Sequence, residues 1–152
     1  MRSTGFTLIE LLVASIIIIT LTGAILVNYN LYNETQRARQ AVLTLKNNFR
    51  FVQSRAYNGE KPDDCTRLDG YLVTFATNSY TMQAWCEGLS AGESQQVLLS
   101  KGLSFSPVPS SLLFRVLSQG LDSTVTITIV GISKSFQVVV SKSGDISEVK
   151  QL

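Results

Sequence analysis

Gly5-Phe6-Thr7-Leu8-Ile9-Glu10-Leu11-Leu12-Val13 opens an apolar run that lasts to Val27, and its reading decides the fold. A polar leader with one basic residue, Arg2, precedes it. After Glu10 no charged side chain appears until Glu34. A helix over that charge-free stretch rises roughly 35 Å, enough to cross a hydrocarbon core of about 30 Å. Ser15, Thr20 and Thr22 can return their hydroxyls to the helix backbone, so they do not spoil such a span. Arg2 ahead of the run argues for a cytoplasmic N-terminus.

Glu10 does not fit an ordinary anchor. A carboxylate inside a membrane segment costs about 2.5–3.5 kcal/mol on insertion scales. Either it snorkels to the interface or it has a cationic partner within the bilayer. The helix itself offers no Lys, Arg or His within reach. Cleavage after Gly5 would create a cation, because Phe6 would then carry a free α-amino group about one helical turn from Glu10.

This stretch resembles the class III signal of type IV pilins and type II secretion pseudopilins. The resemblance implies a prepilin peptidase that cuts between Gly5 and Phe6 and methylates Phe6. It also implies that Glu10 serves in assembling a filament. An ordinary secretory signal is cut behind its apolar region, at small residues. Here Asn28-Tyr29-Asn30 follow Val27, and Gly5 lies in front, so processing would keep the apolar run.

The helical pattern continues past the apolar run. Leu31, Ala38, Val42, Leu45, Phe49, Val52 and Ala56 recur at seven-, four- and three-residue spacings and draw one stripe. Glu34, Arg37, Arg39, Lys46, Arg50 and Arg55 fall off it. No proline interrupts Thr7 to Tyr57, and Asn58-Gly59 supplies a helix stop. The expectation is one helix of about fifty residues, near 75 Å long. Its stripe would pack on the chain's own sheet rather than in a coiled coil. Many members of the resembled family carry a proline near the membrane exit, where the helix partly unwinds. This chain has none there, and Gly23 is the helix's one glycine.

Beyond Gly59 the period changes. Gly70 to Ala76 and Tyr80 to Cys86 alternate as strands around the Thr77-Asn78-Ser79 turn. Glu87 to Ser94 reads as a polar loop. Val97 to Leu99, Leu103 to Phe105 and Leu112 to Val116 are short strand candidates. Val125, Ile127 and Ile129 alternate with threonines, and Phe136 to Val140 follows, with a turn at Ser143-Gly144. The fold class is α+β: a long N-terminal helix packed on an antiparallel β-sheet. The expected segments are a leader at 1–5, a membrane and assembly helix at 6–28, its amphipathic half at 29–58 and a β domain at 59–152.

Phe49-Arg50-Phe51-Val52-Gln53-Ser54-Arg55-Ala56 and Val138-Val139-Val140-Ser141-Lys142-Ser143-Gly144-Asp145-Ile146 are similar to segments of the minor H-type pseudopilins and related minor pilins. Some of those relatives bind DNA through a basic C-terminal motif. Asp145 and Glu148 stand here where arginines would be needed, which argues against DNA as a partner.

Composition excludes other classes. The chain has 152 residues, 13 basic against 11 acidic side chains and a formal charge of +2, which is no footprint for nucleic acid. It contains no histidine, so Ser-His-Asp and Cys-His catalysis are excluded. Neither zinc spacing nor a glycine-rich phosphate loop is present. Asp63, Asp64 and Asp69 with Gly70 could hint at calcium, but their spacing fits a solvated turn better. Tyr71, Tyr80 and Trp85 read either as a ligand platform or as cross-strand core pairs. No cofactor, metal or enzymatic activity is expected. Cys65 and Cys86 lie beyond the apolar run; outside the cytoplasm such a pair is compatible with a disulfide, the other arrangement being two buried thiols.

The sequence thus points to a minor pilin or pseudopilin of a type IV pilus or type II secretion pseudopilus. It would sit in the inner membrane with its C-terminal domain outside. Its partners would be other pilin subunits, the prepilin peptidase, the inner-membrane assembly platform and the lipid bilayer. The alternative is a singly anchored extracytoplasmic domain that binds a partner without polymerising.

Overall fold

The computed structural model describes residues 7–118 and 120–152, and of residues 24–28 and 118 the backbone alone. Gly5 and Phe6, the expected processing site, lie outside the described residues, as does the expected leader at 1–5.

One helix, α1 (Leu8–Asn58), takes up the first third of the chain. It runs without a break through Gly23, where a side chain would meet nothing within 4 Å. Its end is a Schellman motif. Gly59 adopts φ 65° and ψ 28° and donates its N–H to the Ala56 carbonyl at 3.2 Å. The Glu60 N–H reaches the Arg55 carbonyl at 3.0 Å, so two terminal carbonyls are satisfied.

The rest of the chain is antiparallel. Strands β1 (Leu68–Ala76), β2 (Ser79–Cys86), β3 (Leu89–Leu98) and β5 (Leu112–Arg115) form one sheet in the order β3-β2-β1-β5. Strands β4 (Ser104–Phe105), β6 (Val125–Val130), β7 (Ser135–Val140) and β8 (Lys150–Gln151) form a second, in the order β4-β6-β7-β8. A short 3-10 turn, Val116–Ser118, follows β5. The α+β class is therefore established, and the expected single sheet is corrected to two. The chain changes sheet after β3, after β4 and after β5, so those neighbours in sequence never pair.

Six of the seven stripe residues are buried, from Ala38 to Ala56. Leu31 is the exception at 47% exposed; the Thr35–Ser133 hydroxyl pair, at 3.3 Å, lies one turn further along the helix. The stripe meets the inner faces of both sheets in one core. Phe49 sits against Phe75 and Phe114 with ring centroids 6.2 and 5.8 Å apart. Phe75 in turn meets Phe105 of the second sheet at 5.3 Å edge to face, a favoured aromatic geometry. Helix and both sheets thus share one aromatic cluster.

The expected loop from Glu87 to Ser94 is instead a two-residue turn and the start of β3. Glu87 and Gly88 take φ 52° and 80°, the left-handed pair that suits a tight hairpin. β3 is an edge strand with polar residues on both faces, so it lacks the alternation that marks the other strands.

Among the described residues no helical segment is long and apolar enough to cross a membrane. The span expected over 6–28 is thus not met by those residues alone; it also draws on Phe6 and on residues 24–28, whose side chains lie outside the described set.

Candidate functional site

The N-terminal part of α1 stands clear of the domain. Leu8, Ile9, Leu11, Leu12, Val13 and Ile16 to Ile19 are each half or more exposed, on every side of the helix. Residues that point in all directions cannot be one amphipathic face, and a helix that is apolar all round needs an apolar surrounding. The hydroxyls within this segment are internally used. Ser15 donates to the Leu11 carbonyl at 2.6 Å and Thr22 to the Ile18 carbonyl at 2.7 Å. Thr20 donates to the Ile16 and Ile17 carbonyls.

Glu10 lies in the first turn. Thr7, extended at φ −81° and ψ 151°, is the N-cap, and its Oγ1 accepts the Glu10 N–H at 3.3 Å. The same hydroxyl faces the Glu10 carboxylate at 3.5 Å. Thr7-Leu8-Ile9-Glu10 has capping-box spacing, and a carboxylate here complements the positive end of the helix dipole. The T-x-x-E pattern in the sequence is the signal for this local task. The Phe6 amine proposed as its partner falls outside the described residues.

At the other end the helix is tied to the sheets. Tyr71 donates its hydroxyl to the Glu60 carbonyl at 2.9 Å. Burial raises its pKa, against the opposing pull of Arg55. The Arg55 guanidinium lies 5.5 and 5.1 Å from the Phe51 and Tyr71 ring centroids and bonds Glu60 at 3.0 Å. Cys65 and Cys86 form a disulfide with 5.8 Å between their Cα atoms, joining the loop after the helix to the end of β2.

Lys46 lies off the apolar stripe, yet it is 5% exposed. Its amine donates to Glu148 at 2.8 Å, between helix and C-terminal segment. No local pattern marks it, because the partner is more than a hundred residues away in sequence.

The other candidates do not assemble. Tyr71 and Tyr80 face the core, and Asn48 donates to the Tyr80 hydroxyl at 2.6 Å. Trp85 has the opposite strand parity and sits half-buried on the outer face, so the three form no platform. Asp64 and Asp69 accept the Gly92 and Gly88 N–H groups and hold the β2–β3 hairpin. Among the described residues no three acidic, histidine or cysteine side chains gather as a metal site. No family model, curated protein or solved structure matches this chain.

Proposed function

We propose that the chain is a structural subunit, a minor pilin or pseudopilin, cut after Gly5, methylated on Phe6 and assembled through its N-terminal helix. The observation that carries the reading is the protruding helix from Leu8, apolar on every side and interrupted by one acid. An ordinary anchor accounts for the apolar surface but does not require Glu10, since acids within membrane segments are rare and usually functional. The helix would pass from the inner membrane into a filament core, exchanging lipid for the helices of other subunits. Glu10 would meet the Phe6 amine there, its own or a neighbour's, and so set the axial register. The two-sheet domain would stay outside the membrane as the fibre's surface.

Expression beside an active prepilin peptidase, followed by intact-mass analysis, is expected to find a chain lacking Met1 to Gly5 and carrying one methyl group. Glu10→Gln keeps the shape and removes the charge. We expect it to leave cleavage intact and to reduce co-purification with partner pilins, because one charge of a poorly solvated pair is left unmatched. Recovery of the uncut chain would refute the processing step. Wild-type assembly of both Glu10→Gln and Glu10→Val would leave the singly anchored domain as the better reading.

A further inference from the structure

A cleft of about 320 Å³ opens between the last turns of α1 and the ends of β5 and β7. Arg50, Gln53, Ser54 and Tyr57 form its helix wall, spaced so that they share one helical face. Phe114, only 2% exposed, lies at its base, and Arg115 stands beside it. The far wall is the Ser143-Gly144 turn.

The wall is fixed in place. Gln53 donates to the Gly144 carbonyl at 3.1 Å. Gly144 has φ 91°, and a Cβ there would fall 2.8 Å from the Gln53 amide nitrogen. A larger residue there would strain the backbone and displace the Gln53 amide from its bond to the turn.

The chemistry of the cleft is one-sided. Two guanidinium groups and three hydroxyls, those of Ser54, Tyr57 and Ser143, line it, and among the described residues no carboxylate does. Arg115 is held by Asp122 through Nε and Nη2, at 3.2 and 2.8 Å. Arg50 is exposed and makes no ion pair or hydrogen bond among the described residues, although its charge is near enough to help lower the Glu148 pKa. The helix C-terminus would repel an anion, but its Arg55 and Ala56 carbonyls are already bonded in the cap. We infer that this cleft docks an acidic peptide segment of a partner protein, with an apolar side chain on Phe114 and a carboxylate paired with Arg50.

A single carboxylate suits the site better than a polyanion. Asp122 bonds one of the lining arginines, and Asp145 follows Gly144 directly. An extended phosphate backbone would be brought against both acids. Guanidinium–carboxylate pairing at a partly desolvated rim is strong and geometrically selective. The inference does not depend on what becomes of the N-terminal helix.

The test is an NMR titration of the full chain in detergent micelles with N-acetyl-Glu-Phe-amide, its Gln counterpart and a short oligothymidylate. The Glu peptide is expected to shift the Ser54, Gly120 and Gly144 amides, and the Gln peptide to bind at least about tenfold more weakly. Arg50→Gln should weaken the Glu peptide by a similar factor, whereas Arg39→Gln, exposed on the same helix outside the cleft, should not. Equal binding of the two peptides, indifference to Arg50→Gln, or no shift at millimolar peptide would overturn the inference. Tighter binding of the oligothymidylate at these amides would also overturn it, in favour of nucleic acid.

Discussion

Glu148 shows how one residue can join distant parts of this chain. Its carboxylate is exposed, yet the hydrogen bond and charge of Lys46 hold its pKa below the usual glutamate value. A carboxyl whose pKa is depressed on folding adds stability above its unfolded pKa and loses it as pH falls through the folded one. Wild type should therefore melt higher than Glu148→Gln at about pH 6, and the gap should close well below about pH 4.3. The gap should be small and narrow further with salt, since water screens the exposed partner. Thermal melts of both proteins across this pH range check it; a gap unchanged at low pH would remove the ion pair as its cause. Glu10 is exposed as well, but its partners in the structure are local, the N-cap hydroxyl and the helix start.

Secondary structure was legible where side chains alternate in a simple period. The α1 stripe, the inward face Tyr80-Met82-Ala84-Cys86 and the Ile127-Ile129 pair all follow from spacing. The first part of β3 did not, because this edge strand carries polar residues on both faces and, of its apolar side chains, buries only Ala91 and Val97 in part. The division into two sheets was equally hidden. It depends on which strands pair across the chain, as β1 does with β5, and periodicity holds no information about pairing. The Cys65–Cys86 bridge helps fix the loop after α1 against the first sheet, across a sequence separation of 21 residues. Replacing both cysteines by serine should lower the unfolding free energy by roughly 3 kcal/mol in chemical denaturation. Equal stability of the oxidised wild type and the double variant would mean that the bridge constrains little of the unfolded chain.

At the level of the whole molecule, the helix is the element shared by both sheets. Phe49 is fully buried where they meet, in contact with the Phe75 and Phe114 rings. Phe49→Ala should destabilise the domain by about 3–5 kcal/mol, the usual cost of a large core truncation. Phe51, two residues on and half exposed, should cost about 1 kcal/mol or less, even though Arg55 stacks on it. Denaturant titrations of the two variants give the comparison; similar losses would place the core's weight elsewhere. The candidate assembly segment was the clearest part of the sequence, since composition alone marks a helix apolar all round. The Arg50 cleft was not legible, because its walls come from α1, β5 and the turn after β7, which only the fold brings together.

The grip of the sheets on α1 runs along its axis, from Ala38 to Ala56. Suppose the chain is pulled by its protruding end. The tension then runs parallel to the row of buried side chains, and all six must slide together before any can let go. A load at right angles would instead peel them off in turn, each bearing the whole force alone. The domain is thus mechanically anisotropic: firm against traction along the rod, and weakest against a sideways pull.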